Sequence, residues 1–178
     1  MNQSIPNPAD QQKLNYMMNV AALQRLVKAG ANNFHWIAGL SIINTLIFLF
    51  STTTHFVFVI GLGITQFIDG FAYGLSQRFA SSAVIFRGIG FLLDLFFAGI
   101  LILFGYFAGK GKKWAFITGM VLYGLDAILV IAFKDIISFA FYLFFLFLLL
   151  KGLQALNKLG KVVPQTVSDP SFPKDIGA

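Results

Sequence analysis

Residues 91–109 read FLLDLFFAGILILFGYFAG, nineteen positions in which Asp94 is the one carboxylic acid. About 20 apolar residues in a helix rising 1.5 Å each cross roughly 30 Å of hydrocarbon. A single acid does not change that reading. The flanks agree: the full segment, which follows the connection 76–82 and runs to about 108, carries Arg87 near its start, and Lys110, Lys112, Lys113 and Trp114 follow it. Basic and aromatic residues collect at the ends of membrane helices, where polar headgroups meet the hydrocarbon.

Working outward, similar runs appear on both sides. Toward the C-terminus lie 114–133 and, after Lys134-Asp135, 136–150, the latter continuing through Lys151 into an amphipathic stretch ending near Gly160. Toward the N-terminus lie 56–75 and 34–50, separated by the polar turn Ser51-Thr52-Thr53-Thr54-His55. The expectation is an all-α polytopic integral membrane protein with a bundle of five membrane helices. Composition supports it: 57% of the 178 residues are hydrophobic and 11% charged, whereas soluble domains carry about 25% charged residues. No proline occurs between Pro8 and Pro164, so the membrane helices are expected without proline kinks.

The first 33 residues differ. Residues 1–6 read as a disordered lead. Asn7-Pro8-Ala9-Asp10 has the chemistry of a helix start: a capping amide, a proline at the first helical position and an acid in the first turn. A helix to about Ala29 would end with Lys28 in its last turn and Gly30 as its stop. Asn15, Asn19, Gln24, Arg25 and Lys28 make it costly to insert, so it is expected to lie in the interface. The organisation is then a polar lead and amphipathic helix over 1–33, a bundle over 34–160 and a flexible polar tail over 161–178. The first apolar run would serve as an uncleaved signal anchor.

Five full crossings are the favoured reading, but they split the basic residues almost evenly between the two sides and give no orientation. The alternative is four crossings plus a re-entrant segment, for which 56–75 is the natural candidate because Gly61, Gly63, Gly70 and Gly74 loosen it. The N-terminus, the Lys110–Lys113 cluster and the C-terminus then share a side, leaving only Arg78, Arg87 and Lys134 opposite.

Polar residues inside the apolar runs are the candidate site: Asn44, Gln66, Asp69, Asp94, Tyr123 and Asp126. With chain direction alternating, the three acids fall at a shared depth, about 4–6 Å from the midplane at 1.5 Å per residue. Gln66 and Asp69, like Tyr123 and Asp126, are three residues apart and share a helix face. A carboxylate at the centre of a membrane helix costs about 2.5–3.5 kcal/mol on insertion scales, so it should face protein or water. Two readings stand. The acids form a proton or small-cation site, or they form a structural network that fixes helix packing, with Arg78, Arg87 and Lys134 as charge partners.

Other chemistries find little purchase. Without cysteine, and with only His35 and His55, no metal site or cofactor is expected. Gly61-Leu62-Gly63 and Gly88-Ile89-Gly90 lack the preceding strand of a dinucleotide fingerprint. The threonine turn beside His55 has no triad. The net charge of +6 lies in tails and connections, so nucleic acid is not expected as a partner. Gly70-x-x-x-Gly74 and Gly105-x-x-x-Gly109 permit close helix approach, within the bundle or to another membrane protein or a second copy. The functional expectation is a non-enzymatic structural or accessory membrane component, with a small proton- or cation-linked carrier or channel as the alternative.

Overall fold

The computed structural model describes residues 7–50, 61–132 and 135–167. Within them the chain forms helices α1 (Pro8–Phe50), α2 (Gly63–Arg78), α3 (Ala83–Gly109), α4 (Lys113–Ala132) and α5 (Ile136–Val167), with a 3₁₀ turn at Ala80–Ser82 before α3. Among the described residues three stretches are long and apolar enough to cross a membrane: Ala80–Gly109, Lys113–Ala132 and Ile136–Val162. The turn at 51–55, residues 56–60 of the expected second segment, Lys134 and the tail from 168 lie outside the described residues.

α1 starts where its sequence says it should. The amides of Asp10 and Gln11 donate to the Asn7 carbonyl at 2.9 and 3.1 Å, and Asp10 lies in the first turn. It does not stop at Gly30. One helix of 43 residues replaces the expected interfacial helix and first membrane segment. The cause is a helix crossing: a Cβ on Gly30 would sit 2.5 Å from Gly152 Cα. Gly30 removes a side chain where α1 meets α5, and that packing offsets the roughly 1 kcal/mol a mid-helix glycine costs. α5 likewise continues past Gly160 to Val167, so residues 161–167 are helical rather than tail. Its start is fixed by Asp135, whose carboxylate accepts from the Ser138 amide at 3.0 Å and the Ser138 hydroxyl at 2.6 Å.

Side-chain contacts fix the helix directions. Opposite α1, a Cβ on Gly105 would meet the His35 ring at 2.5 Å, and one on Gly109 would meet Ala31 at 3.7 Å. Further along, Thr45 bonds Asp94; α1 and α3 are antiparallel. α2 also opposes α3, with a Gly90 Cβ position 3.1 Å from Ala72 Cβ and 3.8 Å from Ile68 Cγ2. α1 and α2 therefore run the same way. α4 returns against α3, with Phe104 beside Trp114 at 6.2 Å between ring centroids, and α5 runs back along α4. The start of α1, the 110–112 connection and the end of α5 gather at one end. Arg78 and the 3₁₀ turn lie at the other.

α2 begins part-way along the bundle. The Leu62 amide donates to Ser41 Oγ at 2.7 Å, and a Gly61 Cβ would press on Ser41. Ser41 precedes the end of α1 by nine residues, about 13 Å at 1.5 Å per residue. The described α2, 16 residues long, extends about 24 Å.

The core runs from Phe34, Phe116 and Leu149 to Tyr123 and Tyr142, all essentially without exposure. Outward positions are equally apolar: Leu92, Phe96, Leu125, Ile128 and Phe144 are all more than half exposed. In the Phe-rich helix α5, Phe145 enters the core while Phe144 and Phe147 point out. Helices apolar on every face suit an apolar surround.

Candidate functional site

The first four N–H groups of a helix have no partner within it. For α2 those groups lie inside the bundle, and the residue before the helix, Leu62, offers no side-chain cap. Asp126 of α4 supplies one from another helix. Its Oδ2 accepts from the Gly63 amide and its Oδ1 from the Ile64 amide, each at 2.8 Å. The Tyr142 hydroxyl of α5 donates to Asp126 Oδ2 and accepts from the Gly63 amide, each at 2.5 Å. Thr65 turns its hydroxyl back to the Leu62 carbonyl at 2.7 Å. A carboxylate at a helix N-terminus also meets the positive end of the helix dipole. Gly63 is required here because a Cβ would overlap Val130 Cγ2. Tyr123, three residues before Asp126, stacks on the Tyr142 ring at 4.4 Å and 17°, and so holds in place the ring whose hydroxyl completes the cap.

A second constellation joins α1, α2 and α3. Thr45 donates to Asp94 Oδ2 at 3.0 Å, and the Asp69 carboxyl is a close neighbour of the Asp94 carboxyl. Both residues are buried, as is Thr45. Asp94 Oδ1 has no hydrogen-bond partner among the described residues.

The predicted polar residues thus fall into two groups. Asp69 pairs with Asp94. Asp126 and Tyr123 belong to the cap, six residues of α2, or about 9 Å, away from Asp69. Asn44 is buried and Gln66 half-buried, and neither Asn44 Nδ2 nor Gln66 Nε2 has a hydrogen-bond partner among the described residues. Of the basic residues the sequence pointed to, Arg78 and Arg87 are described and Lys134 is not. Arg87 lies over the Tyr73 ring at 5.4 Å, and its Nε has no partner among the described residues. Arg78 closes α2 in its last turn.

Ser41, Thr45 and Tyr142 are the polar residues the sequence reading passed over. Tyr142 was detectable in principle: it is a hydroxyl inside the Phe-rich run 139–147, and a buried hydroxyl needs a partner. Ser41 and Thr45 carried no such signal, since either hydroxyl can bond its own helix, as Ser41 does to the Ile37 carbonyl at 3.0 Å.

Two clefts flank this interior. One of ≈ 420 Å³ lies between α3 and α4, walled by Phe97, Leu101, Phe104, Leu122 and Leu125, with Tyr123 and Asp126 at its deep end. Another, ≈ 360 Å³, separates α2 from α4 and is lined by Gln66, Gly70 and Phe71 among others. Neither includes Asp69 or Asp94. Of the two glycine pairs, Gly105 and Gly109 are filled by α1, whereas a Cβ on Gly70 or Gly74 would meet nothing within 4 Å. Among the described residues no group of three His or Asp side chains is placed to hold a metal ion.

Comparison with protein-family models, with curated proteins and with solved structures gave no match.

Proposed function

We propose that the chain is a multi-pass integral membrane protein acting as a non-enzymatic structural or accessory component. α1, α3, α4 and α5 would cross the bilayer, and α2 would enter from one side as a half-length helix. The observation that carries the non-catalytic reading is the use made of Asp126. An acid inside an apolar run is the strongest sequence sign of a functional pathway, yet both its oxygens are occupied in closing the end of α2. The helix directions favour four crossings, because they group Lys13, Arg25, Lys28, Lys110, Lys112, Lys113, Lys151, Lys158 and Lys161 at one end. By the positive-inside rule that end faces the cytoplasm.

The cysteine-free sequence gives a clean background for testing topology. Single cysteines at positions 112 and 158 should react with a membrane-impermeant maleimide from the same side, and one at Gln77 only from the opposite side. Labelling of 77 and 112 from one side would overturn the arrangement.

The nearness of two buried carboxyls, Asp69 and Asp94, favours a second reading, a proton-linked carrier, because neighbouring acids inside an apolar bundle can exchange a proton. The purified protein in liposomes decides between the two. The structural reading expects proton and sodium flux no greater than in protein-free vesicles, for the native chain and for Asp69→Asn and Asp94→Asn alike. A flux in the native protein that falls at least tenfold in either variant would replace the structural reading with the carrier.

A further inference from the structure

The end of the bundle at the α3–α4 connection is rich in basic residues. Lys110, Lys112 and Lys113 fall within four residues, and Lys113 Nζ lies 3.9 Å from the Cβ position of Gly160, between Lys158 and Lys161 on α5. The chain has no glutamate, and its described aspartates are elsewhere: Asp10 near the start of α1, Asp69, Asp94 and Asp126 inside the bundle, Asp135 at the opposite end. Like charges held this close repel unless an anion joins them. The connection is also rigid, because Gly111 adopts φ +76° and the Lys112 amide returns to the Phe107 carbonyl at 3.1 Å.

From this basic turn an apolar track leads inward. Trp114, half exposed, packs on Phe107 at 5.4 Å and Phe104 at 6.2 Å between ring centroids. Phe104 is also the near wall of the ≈ 420 Å³ cleft between α3 and α4. From Lys113 to Asp126, at the deep end of that cleft, is about 20 Å at 1.5 Å per residue. Half of a bilayer including its headgroups is roughly 20–22 Å. A cation cluster at headgroup level and an apolar slot ending near the midplane match the two halves of one amphiphile.

We propose that the α3–α4 groove binds an anionic phospholipid, its phosphate held by Lys110, Lys112 and Lys113 and one acyl chain laid past Trp114 into the cleft. The inference rests on the membrane reading above and adds the class of lipid and its place.

The test uses the full chain in a neutral detergent, with dioleoyl phosphatidylglycerol, dioleoyl phosphatidylcholine or inorganic phosphate added. Retained lipid is read by native mass spectrometry and the thermal midpoint by intrinsic fluorescence. Phosphatidylglycerol should be retained at least tenfold more than phosphatidylcholine and should raise the midpoint by several degrees, an effect weakened by salt; phosphate alone should do neither. Lys110→Gln/Lys112→Gln/Lys113→Gln should abolish the preference. Leu122→Trp, at an exposed position in the cleft wall, should reduce retention at least fivefold, and Leu125→Trp serves if that variant folds poorly. Equal retention of the two lipids, an equal response to phosphate, or full retention in both cleft-filling variants would each overturn the proposal. Extraction of the chain from membranes by alkaline carbonate without detergent would instead overturn the membrane reading itself.

Discussion

Asp126→Leu is expected to destabilise the bundle by about 3 kcal/mol, enough to release α2 from its place. Leucine fills a similar volume but accepts no hydrogen bond. The Gly63 and Ile64 amides lose the Asp126 acceptors, and the Tyr142 hydroxyl loses its acceptor. A buried donor left without a partner costs about 1–3 kcal/mol. Polar contacts between membrane helices average only about 0.6 kcal/mol, because unfolded helices also find partners in the bilayer. The present case should exceed that average, since the donors are buried backbone groups at a helix end. Asp126→Asn keeps one accepting oxygen and should cost about half as much. Tyr142→Phe leaves both amide bonds to Asp126 and should cost about 1 kcal/mol. Unfolding in mixed micelles measures the series. The cap would have no structural weight if Asp126→Leu fell within about 0.5 kcal/mol of the native chain, which is the spread of ordinary surface substitutions.

The reach of the sequence follows the range of the interactions involved. The start of α1 was legible because Asn7, Pro8 and Asp10 act within one turn. The boundaries of α3 and α4 were legible because flanking lysines and glycines mark where apolar runs end. Gly30 misled because a glycine that ends a helix and a glycine that admits a neighbouring backbone look the same in one dimension; what separates them is Gly152, 122 positions later. Where α2 begins was not legible in the run 56–75, because length and apolarity say nothing of a helix start that is set by Ser41 and Asp126 on other helices. The spacing of Tyr123 and Asp126 did place both in one constellation. The shared depth of the three acids paired Asp69 with Asp94 but could not separate Asp126, whose partners are backbone amides and a tyrosine. Helical periodicity put Arg87 on the face of Asp94 but gave no sign of Tyr73, the ring over which it lies, because that ring belongs to another helix.

The same distinction yields the other large effect, Gly30→Leu. A Cβ at Gly30 would lie 2.5 Å from Gly152 Cα, and one at Gly152 would lie 2.8 Å from Gly30 Cα and 3.0 Å from Phe116. These neighbours are mostly backbone, which cannot rotate away, so α1 and α5 must separate. Overpacking of this kind costs about 1–3 kcal/mol when side chains can yield, and more when they cannot. Separation would also loosen the fully buried Phe34, Phe116 and Leu149, so about 4 kcal/mol is expected for Gly30→Leu and about 2 kcal/mol for Gly30→Ala. Gly70→Ala and Gly74→Ala, which meet open space, should be neutral or stabilising by up to about 1 kcal/mol. The decisive measurement is the double variant Gly30→Ala/Gly152→Ala. If both glycines serve one crossing, the first methyl already parts the helices and the second adds little. The pair should then fall short of the sum of the singles by more than the roughly 0.5 kcal/mol within which independent sites add. Additive losses would mean that Gly30 and Gly152 act separately, and would return Gly30 to the role its sequence first implied, a local feature of its own helix.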